Sequence, residues 1–380
     1  MIPAGVFVTG MQRAGTTLFE RLVGCHTRIS ILSQPFPLVF VEAKRNFLRC
    51  LGRTDADLRY PLAHLFLEDR YRPADFTAFL GGYRPAPQAL RRLFHEMAGF
   101  TGQYTRQDPG RLAFVLERLE PGRFAATAAQ LYRALSAKPG AVLFGGKETI
   151  CEEFLPYLLE SGWAALVIVR DPRDVLASLN HGRGPELAGR LKPTLFNVRN
   201  WRKSVAFALH LERHARFAWI RYEDLVARPL ERLAPVAAAL GVEPFTEEML
   251  ALALASGARW PGNSSHRPLD GITDRSIGIH RRVLPAEAAT YVEAACYPEL
   301  RALGYPVSIE AGDVPGIVSG FREPYDITRD ELRGYSTAPD HVAAEVRRAA
   351  LVREPVGEMS QAYFLFDDVH ARLRRAVLSG

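Results

Sequence analysis

Residues 5–23 read GVFVTGMQRAGTTLFERLV, and this stretch decides the fold. Gly5 to Thr9 is a short apolar run rich in β-branched residues, and Gly10 to Thr17 follows at once. From Leu18 a helical pattern begins, with Leu18, Phe19, Leu22 and Val23 on one face. The order is strand, glycine-bounded loop, helix. Such a loop wraps backbone N–H groups around an anion, and the helix N-terminus adds its partial positive charge.

The spacing approaches a Walker A loop, G-x-x-x-x-G-K-[ST], and departs from it at one place. Gly10 and Gly15 are correctly spaced, and Thr17 takes the Ser/Thr position. Thr16 stands where the lysine belongs. A nucleoside triphosphate kinase uses that lysine on the β/γ-phosphates. Arg13 is the cation inside the loop. The site therefore reads as built for a phosphate-like group and not for ATP with Mg²⁺. A plain strand-to-helix turn with two glycines is the bland alternative.

Outward from this unit, strands and helices alternate. Ile29 to Leu32 reads as a second strand, and Ser33 to Pro37 as a loop. Leu38 to Leu51 has helical periodicity. Residues from about 54 to 140 read as mostly helical, punctuated by prolines and weighted with aromatics. An insertion of that length commonly forms a ligand lid or wall. Ala141 to Phe144 reads as a strand, with Gly145 to Thr149 as the loop after it. Ala165 to Val169 is the strongest strand signal, and Phe217 to Ile220 is another. This pattern predicts an α/β fold: a P-loop-like parallel β-sheet flanked by helices, with a helical insertion and a C-terminal extension. The loops at 10–17, 145–149, 170–178 and 221–225 all leave strand C-terminal ends, where such sheets bind ligands.

Residues 1–310 are expected to form one domain, with 311–380 as an appendage. Its helical stretches at 340–352 and 361–378 are expected to pack on the acceptor side or to make a subunit contact in a homo-oligomer. The chain has 380 residues, 48% of them apolar, enough for a large core. No run of 18 apolar residues occurs, so no membrane span is expected. The first strand starts by Gly5, which leaves no room for a signal peptide and points to the cytoplasm. Cys25, Cys50, Cys151 and Cys296 show neither zinc nor redox spacing, and no metal site is expected. The net charge of +6 suits anionic ligands. No Lys/Arg run with interleaved aromatics appears, so nucleic acid is not an expected partner.

The second anchor is Arg170 to Ser178, RDPRDVLAS. Pro172 stands near a helix start, where a missing N–H costs nothing. Arg170 ends a strand and can point a planar fork at a phosphate, and Ser178 can return its hydroxyl to the same anion. For Arg173 and Asp174 a surface Arg–Asp network is expected.

With both anchors in place, the chain resembles the sulfotransferases that use 3′-phosphoadenosine 5′-phosphosulfate (PAPS). That family has a first loop like P-[KR]-[ST]-G-T-T, and here Gln12 to Thr17 reads QRAGTT. Its R-D-P-R-D-x-x-x-S segment is matched in full by Arg170 to Ser178, and its Y-E-D-L by Tyr222 to Leu225. A basic late loop and a terminal L-G-Y recur at 276–285 and 303–305. The resemblance covers about residues 5–305 in order. Arg13 in place of lysine is closer to the tyrosylprotein-type and several bacterial members than to the cytosolic animal enzymes.

The resemblance implies that the 5′-phosphosulfate lies in the loop Arg13, Ala14, Gly15, Thr16, Thr17 and Leu18. It places the 3′-phosphate on Arg170 and Ser178, helped by Arg281 and Arg282, with Tyr222 near the adenine. Lys147 stands in the place of a family lysine that stabilises charge on the transferring group. The implied reaction is sulfuryl transfer, without a metal, to a hydroxyl in preference to an amine. The implied acceptor is a small molecule such as a natural product or glycolipid. The general base departs from the family pattern. The stretch Ser33 to Phe36 lacks the glutamate of many relatives, and Thr149 stands where the cytosolic animal enzymes have histidine. Glu42, Glu148, His181 and His266 remain as candidates. His266 is preferred, because histidine needs least tuning and late-loop histidines assist in some bacterial relatives. A P-loop nucleotide kinase, or an inactive sulfotransferase-like nucleotide-binding protein, stand as the alternatives.

Overall fold

Strand β1 (Val6–Thr9) alternates its side chains between two helical layers. Val6 and Val8 face one layer and Phe7 the other, and all three are fully buried. In a computed structural model describing residues 2–54, 58–63, 71–100, 109–120, 122–136, 138–182, 191–250 and 272–379, β1 is the centre of a sheet of five parallel strands. The others are β2 (Ile29–Ser33), β3 (Leu143–Lys147), β4 (Ala164–Val169) and β5 (Phe217–Arg221), in the order β2-β3-β1-β4-β5. β4 is buried along its whole length, as a parallel strand covered on both faces must be. The α/β class expected from the alternation is the one observed.

The helices fall into two layers. α1 (Thr16–Gly24) covers the Val6/Val8 face. α2 (Pro37–Cys50) covers the other, where the Phe7 and Phe40 rings stack with centroids 5.1 Å apart. Between β2 and β3 lie α3 (Pro73–Gly82), α4 (Pro87–Met97), α5 (Pro109–Arg118) and α6 (Phe124–Leu135), whose apolar residues extend the Phe7-side core. The prolines that punctuate this region open α3, α4 and α5 at their first positions, where no N–H is needed.

After β3 come α7 (Leu155–Glu160) and, after β4, α8 (Pro172–Asn180) and the 18-residue α9 (Thr194–Leu211). After β5 come α10 (Tyr222–Ala227) and α11 (Pro229–Leu240), which Gly241 ends in a left-handed C-cap. α12 (His280–Val283), α13 (Ala286–Ala295) and α14 (Tyr297–Leu303) follow. The last seventy residues add α15 (Val314–Gly320), α16 (Pro339–Leu351) and α17 (Asp367–Leu378). They pack on the chain before them. Phe321 stacks on Tyr291 of α13 at 3.8 Å, and Phe366 meets Phe207 of α9 edge-on at 5.0 Å. Among the described residues no helix is long and apolar enough to cross a membrane.

The structure differs from the sequence reading at β3. The expected loop Gly145-Gly146-Lys147 is strand: Gly145 pairs with Val6, Gly146 with Phe7 and Lys147 with Val8. A Cβ on Gly145 would lie 1.7 Å from the Val6 carbonyl oxygen, and one on Gly146 would lie 2.2 Å from the Tyr132 ring. Two glycines here mark close approach within a sheet rather than a turn.

Candidate functional site

Four strand ends place four loops on one rim of the sheet. The first loop joins β1 to α1. Gly15 caps α1 at φ 96°, and a Cβ there would meet the Tyr222 ring at 2.4 Å, so only glycine fits. Arg13 sits at φ 67°, a left-handed conformation uncommon for a residue with a side chain. The first turn of α1 has no earlier helical carbonyls for its N–H groups, which makes it a ready anion cradle.

The second loop crosses to the first. Arg13 Nε donates to Ser178 Oγ at 3.0 Å, across 165 residues of sequence. Arg170, at the end of β4, donates to the Arg13 carbonyl at 3.3 Å and to the Ser276 carbonyl. Its guanidinium lies 4.8 Å from the Tyr222 ring, and Tyr222 Oη meets Ser276 Oγ at 2.8 Å. Arg170 Nε is buried and has no hydrogen-bond partner among the described residues. A buried donor left open beside a left-handed loop and a helix N-terminus suits an anion.

The expected surface network of Arg173 and Asp174 is not at the surface. Both are buried, because each ties the rim to a distant segment. Asp174 accepts from Gly278 N at 2.7 Å, and from His280 N at 3.0 Å and Nδ1 at 2.6 Å. Burial works against its carboxylate, but His280 and Arg170 more than offset this and hold its pKa below the usual range. This clamp fixes the start of α12 beside α8, and Arg281 and Arg282 of that helix are exposed. Arg173 bridges Asp171 at 2.7 Å and Glu293 at 2.6 Å. Glu223 accepts from Asp171 N at 2.9 Å and from Tyr305 Oη at 2.8 Å. The three motifs around 170, 222 and 305 are therefore one interlocked support.

Lys147, the last residue of β3, points under the first loop. Its Nζ donates to Thr17 Oγ1 at 3.3 Å and lies 3.7 Å from Glu20 Oε2. Burial lowers the Lys147 pKa and raises that of Glu20. The sequence reading missed Glu20. Its signal was the i,i+3 spacing from Thr17, which puts both on the α1 face above β3.

The base candidates are dispersed. Glu148 points to the opposite face from Lys147. It is buried, accepts from Phe36 N at 3.2 Å, and burial pushes its pKa up to about 8. Glu42 accepts from Arg49 at 3.2 Å and from Asn46 at 3.4 Å, both on its own helix. His181 follows α8; its Nε2 meets Tyr325 Oη at 3.0 Å, and burial lowers its pKa. His266 lies outside the described residues.

No protein-family model and no curated protein matches the chain. Among solved structures it is similar to the sulfotransferase domain from the curacin biosynthetic pathway, at 20% identity and TM-score 0.43, over 81% of this chain and 99% of that one. It is similar also to the sulfotransferase domain from the Synechococcus PCC 7002 olefin synthase, at 17% identity and TM-score 0.43, over 80% of this chain and 95% of that one. A third is sulfotransferase STF9 from Mycobacterium avium, at 17% identity and TM-score 0.38, over 81% of this chain and 78% of that one.

Proposed function

We propose that the chain is a PAPS-dependent sulfotransferase of bacterial type that moves a sulfuryl group to a hydroxyl of a small-molecule acceptor. The observation that carries this reading is the meeting of Arg13 and Ser178 above Arg170. One motif is a P-loop-like turn into α1 without its lysine. The other brings a second cation, Arg170, to the same rim. An adenosine nucleotide phosphorylated at both the 3′ and 5′ oxygens of its ribose needs cations for both groups, whereas ATP with Mg²⁺ needs the missing lysine.

PAPS supplies the sulfuryl group, whose transfer breaks its S–O bond to the 5′-phosphate and forms one to the acceptor oxygen. Arg13 and the N–H groups of residues 14–18 would hold the 5′ end. Arg170 and Ser178, with Arg281 and Arg282, would hold the 3′-phosphate, and Tyr222 would lie near the adenine. Lys147 is a buried cation under the loop that would stabilise charge developing on the phosphate as the bond breaks. For the acceptor proton His266 remains the proposed base, with Glu148 second: its pKa of about 8 suits proton transfer, but its tie to Phe36 N would have to loosen.

The test is incubation of the purified chain with sulfur-labelled PAPS, EDTA and a panel of hydroxylated natural products and glycolipids. The reading expects label in an acceptor product, undiminished by EDTA. No transfer to any acceptor despite PAPS binding would favour an inactive nucleotide-binding protein. Phosphoryl transfer from ATP that requires Mg²⁺ would favour the kinase reading.

A further inference from the structure

A cavity lies at the seam where the last seventy residues meet α9 and α14. Its volume is about 320 Å³, within the range of small-molecule sites. None of the rim loop residues lines it. One wall is apolar and comes from the tail: Phe364, Val369 and Leu373. The charged lining comprises Arg202 and Lys203 of α9, Arg348 of α16 and Glu299 of α14, among others.

All three cations pair with a carboxylate, and they differ in how many of their donors are used. Arg202 makes a bidentate pair with Glu345, at 2.6 and 2.9 Å. Lys203 is held by Glu153 at 3.3 Å and by two backbone carbonyls. Arg348 differs. Its side chain is buried, and it donates one hydrogen bond, to Glu299. Among the described residues no other acceptor lies within hydrogen-bonding distance of it, although a guanidinium carries five N–H groups. Its plane lies 4.7 Å from the Phe364 ring, at the border between the apolar wall and the charged lining. Burial, and then the Arg202 charge, lower its pKa against the opposing pull of Glu299 and Glu345.

We propose that this seam binds a small amphipathic carboxylate, with its head on Arg348 and its apolar body against Phe364, Val369 and Leu373. A planar fork with open donors favours a carboxylate, which can accept two parallel N–H bonds. One guanidinium with spare N–H groups calls for one anionic group rather than a polyphosphate. The site is independent of what the rim loops bind. Its occupant bridges the tail to α9, so occupancy also tightens the tail.

The test is calorimetric titration of the full chain with decanoate and, separately, with decanol, which has the same tail and no charge. One decanoate should bind per chain, at least about ten-fold more tightly than decanol, because the charge-assisted pair supplies the difference. Arg348→Met should weaken decanoate by at least about ten-fold and leave decanol nearly unchanged. Arg348→Met also strands Glu299, so a second variant guards against misfolding. Ala206→Phe fills the cavity from α9 and keeps the Arg348–Glu299 pair, and it should block both ligands while thermal unfolding stays cooperative. Absent decanoate binding, equal affinity for decanol, or decanoate binding untouched by both variants would overturn the proposal.

Discussion

Lys147 and Glu148 are neighbours in sequence and strangers in space. Strand alternation sends Lys147 toward α1 and Glu148 toward α6. The proposal makes Lys147 the cation that steadies the transferring group, and its loss should cut kcat by roughly 10²–10³. Lys147→Ala alone is ambiguous, because it leaves Glu20 buried without its counter-charge, at a cost of about 3–5 kcal/mol. The double variant Glu20→Gln/Lys147→Met removes both charges. It should recover much of the melting temperature of Lys147→Ala and none of its kcat; recovered turnover would remove Lys147 from the mechanism. Glu148 makes a separate prediction. Its folded pKa, about 8, stands above the unfolded value, so the folded state holds a proton that the unfolded state gives up. Its contribution to stability is fully present below the unfolded pKa of about 4.3 and is lost as pH rises toward 8. Glu148→Gln keeps the acceptor for Phe36 N and cannot ionise. Denaturant titrations should therefore show wild type losing stability relative to Glu148→Gln between pH 5 and 8. Parallel pH profiles for the two chains would contradict the buried protonated carboxyl.

Elements show how much the sequence disclosed. The β1–loop–α1 unit was legible because its signal is local: a β-branched run, two spaced glycines and a one-faced helix. Arg170 to Ser178 was legible for the same reason. β3 was misplaced because its deciding contacts are remote. Gly145 and Gly146 look like a turn until Val6 and Tyr132 are set beside them. Asp174 was read as a surface group because its partners, Gly278 and His280, lie more than a hundred residues away. Glu20 escaped because burial of a carboxylate on α1 makes sense only once Lys147 is under it. The β3 correction can be tested. Gly146→Ala should destabilise by about 1–3 kcal/mol, the usual cost of overpacking. Tyr132→Leu should return part of that loss, since the clash is with its ring. Gly145→Ala should not be rescued by Tyr132→Leu, because its clash is with backbone. Equal rescue of both, measured by chemical denaturation, would mean that the strand is wrongly placed.

At the scale of the molecule, the tail is joined to the core by buried charge as well as by rings. Glu345 of α16 accepts from Arg199 at 2.9 Å and from Arg202 at 2.6 Å, both on α9. Burial opposes its ionisation, but Arg202 and Arg199 more than offset this and hold its pKa far below the carboxylate range. The stability this supplies is present above the unfolded pKa of about 4.3 and is lost as pH falls toward the folded value. Glu345→Gln leaves guanidiniums buried without their shared partner and should cost about 3–5 kcal/mol near neutral pH. The gap from wild type should narrow in acid; a gap that stays constant from pH 7 to pH 3 would contradict the pairing.

The central claim is that the rim holds both phosphates of a 3′,5′-bisphosphorylated adenosine, and one titration tests it most directly. Wild-type protein in EDTA is titrated by calorimetry with 3′-phosphoadenosine 5′-phosphate and, in parallel, with adenosine 5′-phosphate. The account predicts tight binding of the first and a loss of about 2–3 kcal/mol for the second, the worth of a charge-assisted contact to the missing phosphate. Arg170→Ala should weaken the first nucleotide to near the level of the second. Equal affinity of the wild type for the two nucleotides would contradict it.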